Sequence, residues 1–154
     1  MNIFEVTADK KRYLPLLLLA DEQESMIDRY LDRGTMFALE EDDQVKAVCV
    51  VTDEAGGILE LKNIAVDPRC QRRGLGRALV GFLLERYAGS FQTLRVGTGD
   101  SPLTIPFYES CGFRRAYVVK NFFPDNYDHP ILECGRPLTD MVFLERPFSR
   151  EAPL

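Results

Sequence analysis

This chain has little of several things that usually mark a chemistry. It carries one histidine, His129, and four scattered cysteines, Cys49, Cys70, Cys111 and Cys134, none in a Cys-x-x-Cys pair. That scarcity argues against a zinc site or a disulfide framework, so the thiols read as reduced and mostly packing, and no metal is expected. The most apolar run, residues 14–20, contains Pro15, is far too short to cross a bilayer and lacks a signal peptide's layout. A cytoplasmic protein without a membrane partner is therefore expected. Positive charge is also in deficit: 19 Lys and Arg face 24 Asp and Glu, for a net charge of -5 and a pI near 5.0. Non-specific affinity for DNA or RNA grows with accumulated Lys and Arg, so no nucleic-acid partner is expected. Internal repeats, low-complexity tracts and the Gly-x-x-x-x-Gly-Lys-Ser/Thr phosphate loop are missing as well.

What the chain does have is the content of a globular protein, 45% hydrophobic and 28% charged over 154 residues. That length fits one domain, 1–154, burying roughly two-thirds of its unfolded surface. Its organising stretch is residues 59–87. Residues 59–66 mix apolar and β-branched residues with a period-2 component and stop at Asp67-Pro68, the pattern of a buried strand. From Gly74 onward, Leu75, Ala78, Leu79, Phe82 and Leu83 form one helical stripe. Between strand and helix lies Gln71-Arg72-Arg73-Gly74-Leu75-Gly76-Arg77. The first turn of a helix presents unpaired N–H groups and the positive end of the macrodipole, which favours anions. Gly74 and Gly76 let a phosphate approach the main chain, and Arg72, Arg73 and Arg77 add suitable donors. The dinucleotide fingerprint does not fit, because Leu79 stands where its third glycine belongs. A local basic cluster in an acidic chain points to a small phosphorylated ligand rather than a polymer.

Two motifs carry a family resemblance. Gln71-x-Arg73-Gly74-x-Gly76 after a strand ending in Val66-Asp67-Pro68 resembles the pyrophosphate turn of the GNAT superfamily of acetyltransferases. Phe107-Tyr108-Glu109-Ser110-Cys111-Gly112-Phe113 resembles the same family's second signature. The resemblance implies an α/β (α+β) fold: a central, mixed, mostly antiparallel, twisted sheet of six to seven strands flanked by about four helices. It implies acetyl-CoA as cosubstrate and direct acetyl transfer to a primary amine of a small molecule or peptide; a monomer or homodimer is expected. The competing reading is a non-catalytic acyl-CoA-binding module that keeps the basic turn. On the same resemblance, the main chain of Ile64, Ala65 and Val66 pairs with the pantetheine arm and the turn from Gln71 to Arg77, Leu75 included, holds the pyrophosphate. Asp100 or Ser101 stands where relatives carry an asparagine that bonds the arm. Tyr108 resembles the tyrosine that protonates departing CoA. Glu60, placed with Lys62, Ile64 and Val66 on one face of a regular strand, resembles the family's general base. From its residues alone, Glu60 reads equally as a strand glutamate paired with Lys62 or a cross-strand cation.

The rest of the chain is read from pattern. Residues 2–7 form an edge strand, and 10–33 hold two helices, with Asp9 capping the first, Asp21 opening the second and Gly34 ending it. Residues 35–40 and 45–52 form a meander with 59–66, in which 47–51 are covered on both faces. A strand at 92–98 precedes a helix capped by Asp100 or Ser101, which Pro106 can delay. Strands at 114–123 and 139–146 flank a loop over 124–138. His129, in that loop, reads as exposed or simply hydrogen-bonded, or as part of a flap over an acceptor pocket. Cys111 reads as a packing residue.

Overall fold

A computed structural model describes residues 1–149. Seven strands form one sheet: β1 (Asn2–Val6), β2 (Thr35–Glu41), β3 (Gln44–Asp53), β4 (Ile58–Val66), β5 (Thr93–Gly99), β6 (Arg114–Val119) and, after a separate two-stranded hairpin of β7 (Leu132–Glu133) and β8 (Arg136–Pro137), β9 (Met141–Pro147). The order is β1-β2-β3-β4-β5-β9-β6, and among these strand pairs of the described residues only β4–β5 is parallel. The α-helices are α1 (Leu14–Ala20), α2 (Glu24–Ile27), α3 (Leu75–Arg86), α4 (Ile105–Ser110) and α5 (Phe122–Asn126). This is the mixed, mostly antiparallel sheet with helices that the sequence implies.

Strand alternation builds two cores. Phe37, Leu39, Ala47, Cys49 and Val51 turn to one face, where they meet Leu75, Leu79 and Leu83 of α3 and Tyr108 of α4. Met36, Ala38, Val48 and Val50 turn to the other, against Leu17 of α1 and Ile27, Tyr30 and Leu31. Residues 47–51 are accordingly buried on both faces, as their unbroken apolar run requires.

Several boundaries differ from the sequence pattern. The second helix is one turn long and opens at Glu24, not Asp21, and the chain then passes through turns to Gly34. Helix α4 starts at Ile105, with Thr104 before it and Pro106 in its first turn, so neither Asp100 nor Ser101 caps it. Proline there costs nothing, because first-turn N–H groups have no intrahelical acceptor. The strand expected over 114–123 ends at Val119, since Asn121 takes a left-handed conformation (φ 57°) and caps α5, which starts at Phe122. The loop 124–138 holds the end of α5 and the β7–β8 hairpin.

Candidate active site

Strands β4 and β5 make the site by separating. They pair only over Ile58–Leu61 and Thr93–Val96, yet both run on, to Val66 and Gly99. A strand edge that loses its neighbour leaves main-chain N–H and C=O groups free for an extended ligand. The gap opens into a cleft of about 360 Å³ lined by residues 61–66 of β4, 96–99 of β5, Thr104 before α4 and Tyr108 on it, Gln71, and Leu19 to Glu22 at the end of α1. Phe123, Tyr127, Ile131, Glu133 and Leu138 close its far end. Ile64, Ala65 and Val66 thus stand on the cleft wall.

The turn before α3 lies at the cleft mouth, where Gln71 is its lining member and donates to the Val66 carbonyl at 3.2 Å. Asp67 fixes the turn by accepting from the Arg69 N–H at 2.9 Å. Gly74 precedes the helix with φ 80°, and a Cβ there would meet nothing within 4 Å. Glycine is needed here for the left-handed backbone and leaves the helix start uncovered. Gly76 differs: an added Cβ would lie 3.2 Å from the Phe107 ring, so this glycine lets α3 pack on α4. Three arginines are partly engaged: Arg69 pairs with Asp67, Arg73 with Glu41 at 2.6 Å, and Arg77 bonds Ser110 Oγ at 2.9 Å. Arg72, with φ 64°, makes no side-chain hydrogen bond or ion pair with any described residue.

Tyr108 is buried on α4 against Phe107 and Phe113. Burial raises its phenol above the ordinary range, with the charges of Cys111 and Glu133 adding to the effect. Its hydroxyl keeps its proton at neutral pH and makes no hydrogen bond with a described residue. Asp100 is exposed and faces Arg115 at 3.8 Å, and buried Ser101 accepts from the Leu103 N–H at 3.1 Å. Neither lines the cleft, whereas Thr98, Gly99 and Thr104 do.

Glu60 corrects one expectation. Leu59 and Leu61 lie in the α3-side core, against which Ile64 and Val66 also pack, while Ala65 lies in the opposite core. The alternation slips between residues 61 and 63, where the register with β3 jumps from Val51–Leu61 to Val50–Asn63. This β-bulge at Lys62 turns Glu60 to the opposite face from Ile64 and Val66. There Glu60 is buried, accepting from Arg95 at 2.7 Å and pairing with Lys62 at 2.6 Å.

A second polar group is illegible in the sequence because its members are distant along the chain. Asp21 accepts from Tyr127 Oη at 2.6 Å and from Tyr30 Oη at 2.9 Å, and Asn63 donates to Tyr30 Oη at 3.1 Å and to the Leu17 carbonyl at 3.0 Å. Burial raises the Asp21 carboxyl above its usual range, opposed by the two tyrosine hydrogen bonds. The network ties the segment after α1, the bulge of β4 and the segment after α5 into one rigid end of the cleft. His129 is exposed, between Asp128 and Glu22, with Nε2 3.1 Å from Glu22. Cys111 is buried at the end of α4, as a packing residue should be. Among the described residues no group of His, Cys, Asp or Glu is placed to hold a metal ion, and no helix is long and apolar enough to cross a membrane.

Comparison with known proteins agrees with this geometry. The acetyltransferase (GNAT) domain profile matches residues 32–115. An N-acetyltransferase of Bacillus subtilis, YvbK, is 35% identical over 131 residues, covering 84% of each chain. The ribosomal protein bS18 alanine N-acetyltransferase of Salmonella typhimurium is 37% identical over 125 residues, covering 77% of this chain and 67% of its own. A GNAT acetyltransferase from Elizabethkingia anophelis, crystallised with acetyl-CoA bound, superposes with a TM-score of 0.90 at 33% identity, covering 95% of this chain and 97% of its own. Cleft, glycine turn and matched sequence together make the chain a member of the GNAT family of acetyltransferases, acyltransferases that use acetyl-CoA as cosubstrate.

Proposed function

We propose that the protein transfers acetyl directly from acetyl-CoA to a primary amine of a small molecule or peptide while both are bound in the cleft. The observation that carries the reading is the parting of β4 from β5 between the glycine turn and Tyr108. The residues fit the cosubstrate: Gly74 leaves the start of α3 uncovered, Arg72 has no partner among the described residues, and residues 62–66 have no β5 partner. The turn from Gln71 to Arg77 holds the pyrophosphate, with Leu75 anchoring the helix beneath it. The main chain of Ile64, Ala65 and Val66 holds the pantetheine arm, and one of its N–H groups polarises the thioester carbonyl. Acetyl-CoA supplies an activated acyl group when bound. Tyr108, kept protonated by burial, donates to the sulfur that leaves. Thr98 and Thr104 stand nearer the cleft than Asp100 or Ser101 and take over the contact to the arm assigned to that position.

The Salmonella relative is named an N-acetyltransferase of alanine in ribosomal protein bS18, which keeps a peptide amine among the candidate acceptors. The reading is tested by calorimetry with acetyl-CoA together with CoA release over a panel of amines. Binding and amine-dependent release support it, and binding without release supports a non-catalytic module instead.

A further inference from the structure

Three carboxylates line the cleft: Asp21, Glu22 and Glu133. Both oxygens of Asp21 are occupied by tyrosine hydroxyls, and Glu22 faces His129. Away from the wall, Glu60 is neutralised by Arg95 and Lys62. Glu133 alone has a buried oxygen, Oε2, without a hydrogen-bond partner. Its register partner in the hairpin is Arg136, yet no ion pair joins the two. A buried carboxylate oxygen left in this state is costly unless something arrives to cover it. The hairpin sets it at the end of the cleft that holds Tyr108, near enough for its charge to act on the phenol.

We infer that Glu133 is the catalytic base: it receives the acceptor as a primary ammonium ion and takes one of its protons. The inference rests on the transfer reading above. An alkylammonium group is protonated at neutral pH and cannot attack a carbonyl until a proton leaves. One N–H proton passes to the Glu133 carboxylate and then to solvent. The freed lone pair forms the N–C bond to the acetyl carbon, and the C–S bond breaks with its electrons on sulfur. Tyr108 protonates that sulfur, and the second nitrogen proton restores the phenol. Carboxylate and phenol therefore divide the proton transfers, one serving the amine and the other the thiol. The acceptors selected are cations with an unhindered primary amine.

The experiment compares wild type with Glu133→Gln and Glu133→Asp, using spermidine, tyramine and an alanine-initiated hexapeptide as acceptors. Acetyl-CoA affinity is measured in parallel by calorimetry. Glu133→Gln is expected to keep that affinity and to lose about 100-fold in kcat/KM near pH 7, the scale of a missing general base. The deficit should shrink as pH rises toward about 9.5, where more acceptor is already neutral, and Glu133→Asp should retain part of the activity. Equal turnover, a deficit that does not change with pH, or loss of acetyl-CoA affinity in both variants overturns the assignment. A wild-type protein that binds acetyl-CoA but acetylates none of the three overturns the transfer reading, and this inference with it.

Discussion

At the scale of single residues, burial and pairing separate groups that look alike in sequence. Tyr108 and Tyr30 are both buried, but Tyr30 spends its hydroxyl on Asp21 and Asn63, while Tyr108 has no described partner. Tyr108→Phe is expected to lower turnover by at least tenfold with acetyl-CoA affinity unchanged, because only the departing sulfur loses a donor. Steady-state kinetics beside calorimetry checks this, and equal turnover removes the phenol from the reaction. Glu60 leads to a prediction of a different kind. Its side chain is 5% exposed, and its partners Arg95 and Lys62 are at 17% and 24%. Glu60→Gln leaves two cations facing a neutral amide and should cost about 3 kcal/mol of stability, read by chemical denaturation. The face on which Glu60 stands was not legible in the sequence, because it is set by a one-residue slip against β3 rather than by anything in β4 itself.

At the scale of elements, what was legible was what short-range chemistry dictates. The glycine turn, the stripe of α3 and the buried strand β3 follow from residues close together in the chain. The β7–β8 hairpin is harder to read, although it carries a local sign. Cys134 and Gly135, both at positive φ (52° and 74°), form the two-residue turn between the paired residues Glu133 and Arg136. A cysteine in that position hid the turn, and with it the residue that closes the cleft. The two glycines of the α3 turn should now behave differently. Gly74→Asp puts a carboxylate at the helix start proposed to hold the pyrophosphate and is expected to weaken acetyl-CoA at least tenfold by calorimetry. Gly76→Ala drives a methyl against Phe107 and should instead cost about 1 kcal/mol of stability. The segment after α5 has its own clasp, His129 between Asp128 and Glu22, whose hydrogen bonds and charges hold the imidazole above its ordinary 6.5. A raised folded-state value means the clasp is complete below the unfolded pKa and is lost as pH climbs through the folded one. Amide protection of residues 127–131 should fall over that interval and stay flat in His129→Gln, and identical profiles would disconnect the imidazole from the loop.

At the scale of the whole molecule, the site exists because one parallel pair is set into an otherwise antiparallel sheet. Strands β4 and β5 flank the crossover through α3, and their divergence beyond Leu61 and Val96 cannot be read from either strand alone. It depends on what each strand pairs with on its other edge, β3 for one and β9 for the other. The order of elements and the two motifs were therefore visible in the sequence, while the shape of the cleft and the residues gathered at its far end were not. Charge is also organised at this scale: a net -5 surrounds a basic turn in which Arg73 and Arg69 are already paired to acids. On the proposed reading, attraction for a polyanionic cosubstrate comes mainly from the helix start and Arg72, both solvent-exposed, so it should be screened. Acetyl-CoA affinity is expected to fall several-fold as salt rises from about 0.05 to about 0.5 M, a range over which the Debye length shrinks severalfold. Arg72→Ala should weaken binding at low salt and flatten that dependence, whereas duplex DNA, repelled by the rest of the surface, should show no competing affinity. An affinity indifferent to salt in both proteins would mean that the turn binds through its amides alone, with the guanidinium of Arg72 taking no part.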